Sequence, residues 1–107
     1  MHKILTVILY LCLSLPVAAA TPTTIHSEGM RLHLEQVTDG LGIPWGMTFL
    51  SENQLLVTER EGFVRRIDID SGRVSQLNNV PKVLADGQGG LLDIALSPDY
   101  RKDGWIY

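Results

Sequence analysis

Cysteine is almost absent from this chain of 107 residues, in which Cys12 is the only one. A single cysteine excludes an intramolecular disulfide and a cysteine-based zinc site. An excess of positive charge is also lacking, because 9 basic and 12 acidic side chains give a formal net charge of −3. The chain therefore has no overall basic field for binding nucleic acid. Its 45% hydrophobic and 20% charged residues are typical of a globular chain.

Helical periodicity is lacking as well, because no segment repeats its apolar residues at the helical spacing over several turns. Residues 30–37 alternate between apolar and polar side chains and predict a half-buried strand. Four further short segments follow, separated by turns rich in Gly, Asn and Asp: residues 45–50, 54–58, 63–69 and 74–77. Their order predicts an antiparallel meander and an all-β fold.

The densest apolar stretch lies at the N-terminus. Lys3 precedes an uncharged apolar run over residues 4–15, and Ala18 and Ala20 occupy the positions of an Ala-x-Ala cleavage site. This pattern is typical of a secretory signal peptide over residues 1–20, cleaved after the last alanine. The alternative is a membrane anchor, although the run is shorter than the ~20 residues that a bilayer span needs. The sequence thus predicts a secreted or periplasmic protein without stable membrane insertion after cleavage.

The rest of the chain divides into a polar start and a folded part. Residues 21–29 are polar and lack periodicity, which predicts a flexible linker. Residues 30–107 carry the strand patterns and are interpreted as the folded domain. The chain ends on the apolar pair Ile106 and Tyr107 without a turn or a polar tail. An unpaired apolar strand end is an aggregation hazard, so we expect this chain to be the front part of a longer protein.

One internal repeat is visible in the sequence. Residues 45–52 align with residues 92–99, so that Met47 corresponds to Ile94. A repeat of ~40–50 residues containing four strands is typical of a β-propeller blade. The alternative at this point is a β-sandwich with two unrelated short strands.

The segment best suited to binding chemistry is residues 86–93, where three glycines flank Gln88. Glycine allows a tight turn and the close approach of a ligand. The glutamine amide offers an acceptor and two donors that could bind a sugar hydroxyl or a cofactor oxygen. The alternative is an ordinary glycine-rich turn with a solvated glutamine. A phosphate loop is excluded, because neither a helix pattern nor a Lys-Ser/Thr pair follows.

Other polar and aromatic residues are interpreted as structural. Asp93 is expected to accept hydrogen bonds from N–H groups of the glycine-rich loop. Glu59 and Arg60 are expected to form a surface or supporting ion pair that contributes ~0–1 kcal/mol. Trp45 and Trp105 are expected to pack in the core or between blades.

Three runs of the sequence carry a family resemblance. They are IPWGMTFL at residues 43–50, LVTEREG at residues 56–62 and, most specifically, GQGGLLDIALSPDY at residues 87–100. They resemble the glucose/sorbosone dehydrogenase family, the soluble aldose sugar dehydrogenases that depend on pyrroloquinoline quinone (PQQ). The resemblance implies a six-bladed β-propeller, of which this chain holds about one and a half blades.

The resemblance also implies an activity. An exported enzyme of this family oxidises the C1 hydroxyl of an aldose to a lactone and uses PQQ and calcium. Its glutamine at the position of Gln88 contacts the sugar substrate beside the quinone. Electrons then pass to a soluble or membrane carrier.

Several functional residues of the family have no counterpart in this chain. The family's catalytic base is a histidine of a later blade, and none of His2, His26 and His33 matches it. The residues that hold calcium and the quinone are also expected downstream of this chain. No catalytic residue is therefore assigned here, and the fragment alone is predicted to be inactive. The alternatives are a cofactor-free propeller that binds protein or glycan, or an inactive truncated gene product.

Overall fold

The computed structural model describes residues 22–107 of the chain. The predicted signal peptide, residues 1–20, lies outside the described residues. The chain divides into two compact units, with the boundary between Glu35 and Gln36. In the described part, no helix is long and apolar enough to cross a membrane.

In its described residues, the first unit is a two-stranded antiparallel hairpin. Strand β1 (Thr23–Ser27) pairs with β2 (Met30–Leu34), and every strand residue is exposed. The two-residue turn between them takes positive φ angles at Glu28 (49°) and Gly29 (79°). Positive φ at both central positions is the geometry that matches the twist of paired strands.

This hairpin differs from the sequence prediction in two ways. Strand β1 occupies most of residues 21–29, which were predicted to be a flexible linker. Residues 30–37 were predicted to form a half-buried strand, whereas β2 ends at Leu34 and is exposed on both faces. The turn was missed because glutamate rarely adopts a positive φ angle, so that Glu-Gly is a weak turn signal beside Asn-Gly or Asp-Gly.

The second unit contains a four-stranded antiparallel sheet. Its strands are β3 (Pro44–Ser51), β4 (Gln54–Glu59), β5 (Phe63–Asp68) and β6 (Val74–Gln76), and they pair in sequence order. The predicted meander is confirmed. The last four residues of β4 are buried.

The turn between β5 and β6 is stabilised by hydrogen bonds to Asp68. The Gly72 N–H donates to the Asp68 carbonyl at 2.8 Å, and Gly72 has a φ of 66°. The Asp68 carboxylate also accepts from the Ser71 hydroxyl at 2.6 Å and the Ser71 N–H at 2.9 Å. These hydrogen bonds lower the pKa of Asp68 from its ordinary value of 3.8.

The core lies on one face of this sheet. Leu56 and Val64, from β4 and β5, pack with Ile94, which follows the glycine-rich loop. Six partly buried apolar residues surround this centre: Leu50, Leu77, Val80, Leu91, Leu96 and Ile106. The segment after the glycine-rich loop therefore packs against the four-stranded sheet.

Residues 95–107 form a second, smaller pairing. Ala95 and Tyr107 exchange two backbone hydrogen bonds of 2.9 and 2.8 Å, and Leu96 bridges Ile106. Between them lies helix α1 (Tyr100–Asp103), a single turn. A helix this short has no apolar periodicity to detect, which explains why the sequence did not predict it.

The side chain of Asp103 ties this second pairing together. Its carboxylate accepts from the Ser97 hydroxyl at 2.6 Å and from the Trp105 N–H at 2.9 Å. Both hydrogen bonds favour the charged form and lower the pKa of Asp103 from its ordinary value of 3.8.

The opposite face of the sheet is apolar and only partly exposed, since Val57 and Ile67 are buried there whereas Met47 and Phe49 are exposed. Met47 and Phe49 of β3 stand opposite Val57 and Leu55 of β4, on the face away from Leu56. The two tryptophans do not enter the core of the described residues, because Trp45 is 54% exposed and Trp105 is 62% exposed.

Candidate functional site

The predicted site residue Gln88 lies at the tip of a tight turn. The turn spans residues 86–89 and is closed by a 2.7 Å hydrogen bond from the Gly89 N–H to the Asp86 carbonyl. Gly87 follows Asp86 with a φ of 52°, which glycine adopts without strain. The Gln88 side chain is exposed. Its neutral amide is therefore presented to solvent on a defined backbone and can exchange hydrogen bonds with hydroxyl groups.

Arg60 contacts the glycine-rich loop of residues 86–93 on both sides of Gln88. Its guanidinium Nη2 donates to the Gly87 carbonyl at 2.7 Å. Its own carbonyl accepts from the Leu91 N–H at 2.9 Å. Because Arg60 directly follows β4, the loop is fastened to the end of the central buried strand.

One glycine of the loop has no room for a side chain, and a second has little. Gly90 has a φ of 148°, and a Cβ there would lie 2.5 Å from the Arg60 carbonyl oxygen. A Cβ on Gly89 would lie 3.1 Å from the Asp86 carbonyl oxygen. Glycine at residue 90 is thus required both by backbone conformation and by the close approach of Arg60.

Thr58 fixes the downstream end of the loop. This side chain is 1% exposed. Its hydroxyl accepts from the Gly46 N–H at 2.9 Å and donates to the Leu92 carbonyl. Strands β3 and β4 and the residues after the loop are therefore joined through one buried hydroxyl.

The predicted ion pair between Glu59 and Arg60 is wrong. Glu59 is 2% exposed and pairs with Arg65 at 2.6 Å, while it also accepts from the Gly42 N–H at 2.6 Å. Neighbouring residues at the end of a strand point to opposite faces, so Glu59 and Arg60 point apart. Arg65 lies on the adjacent strand β5, and its guanidinium stands 4.7 Å from the centre of the Phe63 ring.

The expectation for Asp93 is also wrong. Its Oδ1 atom accepts from the N–H of the next residue, Ile94, at 2.8 Å, and the residue is exposed. Two N–H groups of the loop are instead bonded to Asp86, whose carboxylate accepts from the Gly87 N–H at 2.9 Å and whose carbonyl accepts from the Gly89 N–H at 2.7 Å.

The described residues do not form a metal site by themselves. Between residues 22 and 107, no three or more His, Cys, Asp and Glu side chains are grouped as metal ligands. His26 and His33 lie on the exposed hairpin, where His33 Nδ1 is 3.2 Å from Thr24 Oγ1. The calcium implied by the resemblance does not fit the described residues, and no chemical step is derived through it.

The roles of Thr58 and Arg60 were missed by the sequence analysis. A signal was present, since polar residues 58–60 directly follow the apolar residues 55–57 of a buried strand. A polar side chain at the end of a buried strand needs a hydrogen-bond partner, and the nearest loop supplies it.

Comparisons with known proteins agree with this architecture. Residues 41–107 match the family described as Glucose / Sorbosone dehydrogenase. The chain is 38% identical to the aldose sugar dehydrogenase YliI of Escherichia coli (strain K12), over 91% of this chain and 24% of that protein. It is 35% identical to quinoprotein glucose dehydrogenase B of Acinetobacter calcoaceticus, over 66% of this chain and 16% of that protein.

The structural comparison extends to the fold. The PQQ-bound aldose sugar dehydrogenase of Streptomyces coelicolor superposes with a TM-score of 0.64 and 46% identity, covering 68% of this chain and 22% of that chain. This likeness confirms the predicted all-β fold of the β-propeller class, in which β3 to β6 form one blade. The chain spans less than a quarter of the length of the relatives it matches. A family match over more than half of its residues leads to one conclusion: the chain belongs to the glucose/sorbosone dehydrogenase family.

Proposed function

We propose that this chain is part of an exported, PQQ-dependent aldose dehydrogenase that oxidises the C1 hydroxyl of a sugar to a lactone. The observation that carries the proposal is the exposed Gln88 amide, held on a turn that Arg60 and Gly90 fix in place. The names of the relatives support the substrate class and the cofactor.

Gln88 is proposed to bind and orient the sugar. Its amide can donate to one sugar hydroxyl and accept from another without placing a charge beside the substrate. PQQ, when bound, would supply the two-electron acceptor for the C1 hydride, and the hydroxyl proton would go to a base. We propose that this base, and the groups that hold the quinone and calcium, belong to residues outside this chain.

The test uses the full-length protein that contains this chain. After purification in chelator and reconstitution with PQQ and calcium, it is assayed with several aldoses and a dye as electron acceptor. We expect sugar oxidation that requires PQQ, with the lactone identified as the product. Sugar or glycan binding without turnover after full PQQ loading would contradict the proposal and would indicate a binding propeller instead.

The isolated chain of 107 residues is proposed to be inactive in the same assay. Its described residues present an amide to the substrate but form no metal site. Turnover by this chain alone would show that the assignment of the missing groups is wrong.

A further inference from the structure

Arg60 contacts the glycine-rich loop at two places, one on each side of Gln88. The guanidinium binds the Gly87 carbonyl at 2.7 Å, directly before Gln88. The main-chain carbonyl binds the Leu91 N–H at 2.9 Å, at the downstream end of the loop. Gly90 lies against the same carbonyl, so the three contacts confine the loop between them.

Only one of these contacts depends on the side chain. The bond to Leu91 and the approach of Gly90 use main-chain atoms of Arg60, which any residue would provide. The guanidinium bond alone reaches across to the turn of residues 86–89. That turn is exposed and short of apolar contacts, a combination that favours local opening. Without the guanidinium, the hydrogen bond from Gly89 to Asp86 would be its main internal restraint.

The guanidinium bonds a neutral partner. A carbonyl oxygen accepts a hydrogen bond from arginine, but it does not require the positive charge. If Arg60 served to bind an anionic cofactor directly, its charge would be the essential property. If it orders the turn, a donor of the right reach is essential. Lysine supplies a donor and also keeps the charge, so the Kd for PQQ, rather than the lysine variant, separates the two roles.

We propose that Arg60 is a positioning residue that orders the turn and thereby sets the orientation of Gln88 toward the sugar. The inference rests on the proposed function, because it takes Gln88 as the group that binds the substrate. In this proposed role, Arg60 acts through the loop and not by contact with the sugar or the quinone. Its contribution reaches the substrate through the Gly87 carbonyl.

The experiment compares Arg60→Ala, Arg60→Lys, Gln88→Ala and the double variant in the full-length protein. Arg66→Ala is the matched control, since Arg66 is an exposed arginine of the same sheet. Three quantities are measured: KM and kcat for the aldose, the Kd for PQQ, and the hydrogen exchange rate of the Gly89 amide.

In Arg60→Ala we expect KM to rise ~2- to 13-fold, the effect of one hydrogen bond, with the PQQ Kd unchanged. The Gly89 amide should exchange faster by a similar factor, because its bond to Asp86 opens more often. Arg60→Lys should restore most of both values, and Arg66→Ala should match the wild type. In the Gln88→Ala background, Arg60→Ala should add no further increase in KM, because both changes act on the same contact.

Three results would overturn the inference. An unchanged Gly89 exchange rate in Arg60→Ala would show that the side chain does not order the turn. A weaker PQQ Kd would indicate direct contact with the cofactor, and additive effects on KM would show that Arg60 acts independently of Gln88. A wild-type protein without PQQ-dependent turnover would instead refute the proposed function. The exchange rate would still decide whether Arg60 orders the turn.

Discussion

Gln88 and Glu59 differ in solvent exposure and in hydrogen bonding. Gln88 is exposed at the tip of a turn, so its amide is available to a ligand. Glu59 is buried, and its carboxylate is satisfied by Arg65 and the Gly42 N–H. The sequence could identify the first residue, because glycines on both sides mark a turn. It could not identify the partner of Glu59, since pairing across strands depends on register, which is set by the fold.

Removal of the Gln88 amide should impair sugar binding without affecting the cofactor. In the full-length enzyme, Gln88→Ala should raise KM for the sugar ~2- to 13-fold, the effect of one uncharged hydrogen bond. The PQQ Kd should stay the same, because a neutral amide gives little to an anionic quinone. Steady-state kinetics of the reconstituted enzyme provide the measurement. Gln36→Ala, which removes another exposed glutamine, is the control. Kinetics identical to the wild type would make Gln88 a solvated turn residue.

Loss of the Glu59 charge should destabilise the sheet. Glu59→Gln keeps the shape of the side chain but leaves Arg65 without its carboxylate partner. We expect the free energy of unfolding of the full-length protein to fall by ~1–3 kcal/mol, because a buried charge-assisted hydrogen bond is weakened. Denaturant titration measures the change. Glu52→Gln, which alters an exposed glutamate, is the control. Equal stability of the two variants would contradict this account.

At the scale of elements, turn chemistry separates what the sequence predicted from what it missed. The turn of residues 70–73 was predicted, because Asp, Ser and Gly each favour a turn for a known reason. The hairpin of β1 and β2 was missed, since a positive φ angle at Glu28 is supported by pairing rather than by residue preference. Residues 92–99, which repeat the pattern of residues 45–52, form no strand of their own in the structure but a single β-bridge, from Leu96 to Ile106.

The element around α1 should respond to acid through Asp103. Its pKa is lowered in the folded protein by the Ser97 hydroxyl and the Trp105 N–H. A depressed folded pKa contributes stability above the unfolded value of 3.8, and this contribution is lost as the pH falls through the folded pKa. Asp103→Asn should therefore be less stable than the wild type near neutral pH, and the difference should shrink below about pH 4.

Unfolding free energies measured from neutral to acidic pH test this expectation. Asp39→Asn, which changes an exposed carboxylate outside this element, should run parallel to the wild type. A stability difference for Asp103→Asn that is constant down to the lowest pH would refute the proposed role of the carboxylate.

At the scale of the molecule, the sequence predicted the class of fold better than its packing. The meander was readable because each strand is followed by a turn. Trp45 and Trp105 were expected to pack in the core or between blades, and neither enters the core of the described residues, since an aromatic residue is buried only where another layer covers it. Both are exposed in the described part. In the candidate site, the sequence predicted the exposed residue Gln88 but not the residues that support it. Arg60 and Thr58 bond to residues that are distant in sequence, and only the folded chain brings these partners together.

Export of the whole molecule is a separate prediction. We expect the mature protein to begin at Thr21, because small residues end the apolar run at Ala20. N-terminal sequencing of the protein from the secreted or periplasmic fraction tests this position. Ala20→Arg should block cleavage, whereas Thr23→Arg, beyond the cleavage site, should not. Protein that leaves the cell with Met1 intact would contradict the prediction.

The strand order of the four-stranded sheet affects how the protein folds during its synthesis. Each strand from β3 to β6 pairs with its immediate neighbour in sequence, so the contacts of the sheet are local. Local contacts form quickly, and synthesis delivers them from the N-terminal side. We therefore expect this sheet to assemble on the ribosome or at the export channel before Ile94 arrives. The apolar surface of Leu56 and Val64 would lack its cover from Ile94 during that interval, so we expect chaperones to bind at this stage of synthesis.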